Sequence, residues 1–416
     1  MSINAEIIAI GNEIISGDVV DTNSSLIAKS LLGLGIETLW HTSVGDLSQD
    51  IKNALKTALG RSELVLITGG LGPTDDDLSV EIIAEALGRN LVFVDEIWQN
   101  IQSTLIKGGR KVDSYNKKQA YIPEGAKYFL NGAGTAPCVV IEESGKKIFM
   151  MPGVPSEVKY FLESHILPQL KNTSDTAIKV KKIKLAGIPE ASVNEIIKDI
   201  VTKDTHSIAF LPKSSELEVK ITAKAKDESS ASKIVDEVKS EIVFRLKDFV
   251  FGYDDESIEN ILHDILTKNN QKISVAESCT GGLVSKLLTD TSGSSQYISL
   301  NLVTYSNEAK IKMLDVKKST LERFGAVSEQ TAQEMALGIK KLSGSDFGFS
   351  ITGVAGPTGG TLEKPVGLVY VGITDGKSTQ THKLVFPEQL PREEIRLRSA
   401  KKALHLLKDF INKSIF

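Results

Sequence analysis

Short apolar runs that pass through a polar or glycine-rich loop into a helical pattern recur over residues 1–170 and again over 254–416. This alternation constrains the fold more than any other feature. Repeated strand–helix units build a mostly parallel sheet with helices on both faces, joined by right-handed crossovers. "AEIIAIG" is one such run, followed by "SSLIAKSLLGLG", whose periodicity predicts a helix ending at Gly35. "ETLWHTSVGD" and "SELVLITGG" read as further strands, each leading into a helix. The class is therefore α/β, with a doubly wound first domain. In the last segment the strands are "KISVAES", "YISLNLVTYS", "DFGFSITGVAG" and "GLVYVGITDGKSTQTHKLVF". The last of these contains the hairpin signal Asp375-Gly376. The helix "REEIRLRSAKKALHLLKDFI" closes the chain. Residues 171–253 differ. A linker at "NTSDT" opens a β-α-β-β-α pattern in which "LEVKITAKA" alternates as a half-exposed strand does. This small α+β segment has no glycine-rich loop and no convergent acids, so a structural or interfacial role is expected. The domains are thus expected at 1–170, 171–253 and 254–416.

Composition narrows the function. The 416 residues are 41% hydrophobic and 25% charged, which gives a globular chain with ample core. The net charge of −4 argues against a broad nucleic-acid surface. No apolar run approaches the ~20 residues that span a bilayer. The opening residues lack a basic region followed by an apolar core, so no signal peptide is expected. Cys138 and Cys279 lie far apart and form neither a disulfide framework nor a zinc site. A cytoplasmic protein is expected.

Ligands of a doubly wound sheet sit beyond the carboxyl ends of its strands. Three such ends carry acids: Glu13 after Gly11, Asp46 after Gly45, and Asp75, Asp76 and Asp77 in "TGGLGPTDDD". Gly69, Gly70 and Gly72 of that loop let the backbone approach a ligand and offer N–H groups to phosphate oxygens. Aspartates at a helix start also serve as plain caps. Carboxylates beside a phosphate loop repel the phosphate unless a divalent cation lies between them, and such ions are held by one or two carboxylates plus phosphate oxygens. The combination points to metal-assisted attack on a phosphate or pyrophosphate, with Glu13, Asp46, Asp76 and Asp77 as candidate ligands. Asn23 at a helix start is a further candidate ligand contact, and "MPGVPSEV" adds a tight turn around Gly153 and Pro155.

A second constellation centres on "AESCTGG", at a strand–loop–helix junction suited to an exposed nucleophile. Ser278, Cys279 and Thr280 compete for that role. A serine needs an adjacent base. The six histidines all miss the glycine-rich loops, whereas "VTYSNEAK" supplies Lys310 and Tyr305 just past a strand end. A desolvated lysine can act as base, although most lysines are solvated surface charges. Thr280, Gly281 and Gly282, with Gly353 and Gly356 of "SITGVAGPTGG", can bind an anion through the backbone. Arg392 and Arg396 share one helical face and suit a phosphate.

The segments "GNEIISGDVVDTN", "VGD", "TGGLGPTDDDLS", "GTAP" and "MPGVPSEV" closely resemble the CinA family, whose N-terminal domain is similar to the MoaB/MogA molybdopterin-binding fold. The resemblance implies an ADP-ribose pyrophosphatase that uses a divalent metal (Mg, Mn or Co), often with potassium, and releases AMP and ribose 5-phosphate. Asp46 and Asp77 match positions that are functional in the molybdopterin relatives. One departure is Cys138, where a glycine is expected after "GTAP"; a cysteine there would be strained if the backbone needed positive φ. "AESCTGG", "VTYSNEAK", "GAVSE", "TGVAGPTGG" and "KPVG" resemble the CinA C-terminal domain, also found alone as nicotinamide-nucleotide amidase. That likeness implies deamidation of nicotinamide mononucleotide to nicotinate mononucleotide and ammonia without a cofactor. Ser278 would be the nucleophile, Lys310 its base and Tyr305 a positioning group. The middle segment is then KH-like. The family resemblance makes the chain a bifunctional hydrolase of pyridine-nucleotide salvage, expected as a homodimer without direct nucleic-acid contact. The competing expectations are a recruitment protein in competence or DNA repair, and a molybdopterin-binding protein.

Overall fold

The computed structural model describes residues 3–171, 173, 176–203 and 205–415. Asn172, Ser174 and Asp175 of the expected linker lie outside them. The chain packs into two compact units, Met1–Val180 with Thr222–Asp236, and Lys181–Ile221 with Glu237–Phe416. The middle segment is divided between them.

The first sheet contains β1 (Asn4–Ile10), β2 (Glu37–Val44), β3 (Leu64–Thr68), β6 (Lys127–Phe129), β7 (Cys138–Glu143) and β8 (Lys146–Met151) in the order β2-β1-β3-β8-β7-β6; β4 (Leu91–Phe93) and β5 (Tyr121–Pro123) pair separately. The strands from β2 to β8 are parallel, as the alternation predicts. The far edge is antiparallel, so the sheet is mixed. The local cause is a two-residue hairpin between β7 and β8, where Ser144 and Gly145 both take positive φ. Helices α1 (Asn12–Ile15), α2 (Thr22–Leu32), α3 (Ser48–Arg61), α4 (Ser79–Ala86), α5 (Asp95–Lys107), α6 (Pro155–Phe161) and α7 (Leu167–Leu170) complete this part. Strand residues of one parity, such as Ile8, Ile10, Val65 and Ile67, pack with Ile51, Leu55, Ile97 and Ile101 of α3 and α5. The other parity, Ala5, Ile7, Leu64 and Leu66, packs with Ile27 and Leu31 of α2 and Phe161 of α6. Both faces are therefore covered, and each fully buried aliphatic side chain contributes about 1.5–3 kcal/mol. Cys138 opens β7 in extended backbone, paired with Phe129 and wholly buried, so its substitution for glycine carries no strain.

The middle sheet has the order β10-β11-β12-β9-β13, formed by β9 (Ala177–Ala186), β10 (Thr202–Lys203), β11 (His206–Lys213), β12 (Glu216–Ala225) and β13 (Val250–Tyr253), with helices α8 (Glu190–Val201) and α9 (Glu228–Leu246). The β-α-β-β-α reading is thus extended by two short strands.

The last sheet has the order β15-β14-β16-β17-β18, from β14 (Ile273–Glu277), β15 (Ile298–Val303), β16 (Phe347–Gly353), β17 (Leu368–Thr374) and β18 (Thr379–Val385). β14 is parallel to β15 and β16, and the β16-β17-β18 edge is antiparallel. The hairpin forms at the expected Asp375-Gly376, where the Asp375 carboxylate accepts from Lys377 N at 2.8 Å and Ser378 N at 2.7 Å. Helices α10 (Ile258–Lys268), α11 (Leu283–Thr289) and α15 (Arg392–Ile415) supply one face; α12 (Asn307–Leu314), α13 (Lys318–Phe324) and α14 (Glu329–Ser343) supply the other. α14 lies so close to the sheet that a Cβ at Gly348 would fall 2.2 Å from Ala336 O, and one at Gly372 2.4 Å from Ala332 O. Among the described residues, no helix is long and apolar enough to cross a membrane.

Candidate active sites

β14 ends at Glu277, whose carboxylate is wholly buried. It accepts from the N–H groups of Gly282 at 2.9 Å, Val284 at 3.1 Å and Ser285 at 2.8 Å, and from the Ser285 hydroxyl at 2.6 Å. An anion is thus fixed against the first-turn donors of α11. Gly281 and Gly282, at φ of 58° and 95°, supply the left-handed steps that fold the loop around it. Ser278 N donates to Ile351 O at 3.0 Å, which ties the next residue to β16. Glu277 has no role in the sequence reading. Its signal was an acid at the end of a strand, four residues before a glycine pair and a helix start.

Lys310 lies on α12 and is wholly buried. Its Nζ is 3.1 Å from Ser278 Oγ and donates to Thr304 O at 2.8 Å and Tyr305 O at 3.3 Å. Burial lowers its pKa. A neutral amine has two N–H donors and one lone pair. In that form the two carbonyls would use the donors, and the lone pair would be left to accept the Ser278 hydroxyl proton. Cys279 is buried within the core, and burial pushes its thiol up to about 12, so it is no thiolate.

α15 brings its two arginines to the same loops. Arg396 Nη2 donates to Thr280 O at 2.6 Å. Arg392 Nη1 donates to Gly356 O at 2.7 Å, and its Nη2 donates to the hydroxyl of the exposed Tyr305 at 3.1 Å. Gly356 has φ of 71°. Gly353 is demanded by the sheet instead, because a Cβ there would lie 2.7 Å from Leu368 O. Thr280 is wholly buried, and its Oγ1 has no hydrogen-bond partner among the described residues.

In the N-terminal segment, the carboxyl ends of β1, β2, β3 and β8 open into a cleft of about 300 Å³ whose wall includes Glu13, Asp46, Asp76, Asp77 and Glu157, together with Gly69, Gly70 and Gly72. A Cβ at Gly69 would fall 2.0 Å from Ile10 O, which only glycine avoids. Asp46 Oδ2 accepts from Asn12 N at 3.0 Å, while Asn12 Oδ1 accepts from Asp46 N at 3.3 Å. Asp77 Oδ2 accepts from Thr74 N at 3.0 Å. The Thr74 hydroxyl lies between Asp76 and Asp77 and can donate to either. That hydroxyl is the main cause holding Asp76 below the usual carboxylate range. Asn23 is buried and lies off the cleft wall; its Nδ2 donates at 2.7 Å to the carbonyl of Gly153, which does line the cleft.

The wall carries five carboxylates and neither lysine nor arginine. Among the described residues, no three acid, histidine or cysteine side chains gather closely enough to enclose an ion. A set of hard oxygen donors, incomplete in itself, fits a magnesium-type cation that shares its ligands with an anionic substrate.

Residues 6–172 match the family "Probable molybdopterin binding domain", 180–252 the damage-inducible protein CinA KH domain, and 255–411 the CinA C-terminal domain. A protein of Acetivibrio thermocellus named as competence-damage inducible is 43% identical over 382 residues, 92% of each chain. This chain belongs to the CinA family. Its relative of the same name in Thermoanaerobacter pseudethanolicus is 41% identical over 406 residues, 98% of each chain. The crystal structure of competence/damage inducible protein CihA from Agrobacterium tumefaciens is 42% identical and matches 37% of this chain and 95% of that one, with a TM-score of 0.36. The α/β class, the MoaB/MogA-like first domain and the KH-like middle domain of the sequence reading agree with these matches.

Proposed function

We propose that the C-terminal segment hydrolyses the carboxamide of nicotinamide mononucleotide, with Ser278 as nucleophile and Lys310 as base. The observation that carries this reading is the wholly buried Lys310 amine 3.1 Å from Ser278 Oγ. Lys310 takes the hydroxyl proton as Oγ adds to the carboxamide carbon. The tetrahedral intermediate collapses when the resulting ammonium returns that proton to the departing nitrogen. Ammonia leaves, and an ester remains on Ser278. Water then attacks the ester as Lys310 takes its proton; the ester C–O bond breaks, Lys310 returns the proton to Ser278 Oγ, and nicotinate mononucleotide departs. The N–H groups of Arg392 and Arg396 not engaged with carbonyls are the candidates for the substrate phosphate. Ammonia release by the purified Ser278→Ala and Lys310→Ala variants tests the pair. Unchanged turnover in either would overturn it.

The N-terminal cleft supports a second activity, metal-dependent hydrolysis of ADP-ribose to AMP and ribose 5-phosphate. Glu13, Asp46, Asp76 and Asp77 would hold the cation. When bound, it neutralises phosphate charge that the acidic wall would otherwise repel. Full activity in EDTA would remove this reading.

The relatives are named as competence-damage inducible, and the alternative reading is recruitment in that response. Direct nucleic-acid contact is not part of our reading. Lysines of the middle strands are engaged with acids, in Lys179–Glu228, Lys181–Asp254, Lys213–Glu218 and Lys224–Glu37. Capture of a recombination protein by a chain that turns over neither nucleotide would favour recruitment instead.

A further inference from the structure

The fifth carboxyl of the N-terminal cleft differs from the other four. Glu13, Asp46, Asp76 and Asp77 follow β1, β2 and β3, whereas Glu157 stands in the first turn of α6, beyond β8. Its Oε2 accepts from Asn131 Nδ2 at 2.6 Å. Asn131 is buried and fixed in turn: its Nδ2 also donates to Ala136 O at 2.8 Å, and its Oδ1 accepts from Ala133 N at 2.8 Å. The carboxyl rests on Gly134, where a Cβ would fall 2.2 Å from Oε1. Any other residue at position 134 would displace it. One oxygen is therefore held from the protein side. The other, Oε1, has no hydrogen-bond partner among the described residues.

The surroundings set Asp76 and Glu157 apart. Asp76 is held low by the Thr74 hydroxyl, which favours its ionised form, and Asp46 and Asp77 accept backbone N–H bonds. Glu157 goes the other way. Burial raises its pKa and outweighs both the Asn131 bond and the charge of Arg110. The charged groups facing it are Arg110, beyond the end of α5, and Glu13, Asp46, Asp76 and Asp77 across the cleft. Neighbouring carboxyls with proton affinities driven apart take different tasks, the ionised ones stabilising charge and the raised one transferring a proton.

We infer that Glu157 is the general base that activates water for attack on the pyrophosphate, an assignment that rests on the ADP-ribose reading above. As the water oxygen bonds to phosphorus, its proton passes to Oε1. The bond from that phosphorus to the bridging oxygen breaks, and its electron pair leaves with the second phosphate. Glu157 then releases the proton to solvent.

The test compares full-length wild type, Glu157→Gln and Glu157→Asp in ADP-ribose hydrolysis across pH, with Mn²⁺ binding followed by electron paramagnetic resonance. The expected result for Glu157→Gln is a fall in kcat of about 100-fold or more, with KM and Mn²⁺ affinity unchanged. The wild-type rate should fall on the acid side as Glu157 is protonated, and that limb should vanish from the residual rate of the Gln variant. Glu157→Asp should recover part of kcat. Retained Mn²⁺ affinity separates lost chemistry from lost fold. Wild-type turnover with an equally active Glu157→Gln, or an acid limb that persists in it, overturns the base assignment alone. No ADP-ribose turnover by the wild type overturns the parent reading and this one together.

Discussion

Lys310 is wholly buried, yet its amine meets three oxygens, one for each position around the nitrogen. Burial lowers its pKa from 10.5, so deamidation should rise as pH increases through the lowered value, where the neutral amine forms. Lys310→Arg, charged at every working pH, should be inactive throughout. Stability follows the same titration. Between the lowered value and 10.5 the unfolded chain binds a proton that the folded chain does not, so stability gained from this group rises with pH across that window. Thermal melts should accordingly favour wild type over Lys310→Met increasingly as pH rises there; a constant gap would contradict a depressed lysine. Cys279→Ala should leave turnover intact, because a thiol pushed up to about 12 is not a nucleophile. A dead Cys279→Ala beside an active Ser278→Ala would reverse the assignment. The motif made Ser278 and Lys310 legible before any coordinates. Glu157 and Glu277 were not, because their chemistry arises from burial and from partners such as Asn131 that the sequence does not mark as neighbours.

At the scale of elements, the β14–α11 junction holds Ser278, and Glu277 holds the junction. Glu277→Gln would turn an acceptor of four donors into a group with donors of its own. Charge-assisted bonds of this kind are worth about 1.5–3 kcal/mol each, so the variant should melt earlier and lose deamidation together. Wild-type stability with normal activity would show that the loop does not depend on the carboxylate. In the other segment, a Cβ at Gly72 would fall 2.2 Å from Asp77 Oδ2. Gly72→Ala should therefore weaken Mn²⁺ binding with little effect on the amide chemistry, as a metal titration would measure. Alternating periodicity predicted the parallel strands well. It also marked the antiparallel β17–β18 hairpin through Asp375-Gly376, but it missed the antiparallel β7–β8 pair, whose Ser144-Gly145 turn carries a weaker local signal, and the antiparallel β16–β17 pair.

For the whole molecule, one compact unit holds an acid-walled cleft and the other a buried Ser–Lys pair. EDTA and Asp77→Asn should abolish ADP-ribose cleavage and leave deamidation of nicotinamide mononucleotide untouched. Three segments were expected from composition and pattern, and the chain packs into two units. The division of the middle one between the units was not legible, since it depends on contacts remote in sequence. The most direct measurement of the central claim is ammonia release from nicotinamide mononucleotide by purified wild type, Ser278→Ala and Lys310→Ala. The account predicts turnover by the wild type in EDTA and a loss of orders of magnitude in both variants. A wild type that releases no ammonia, or a variant that matches it, would contradict the account.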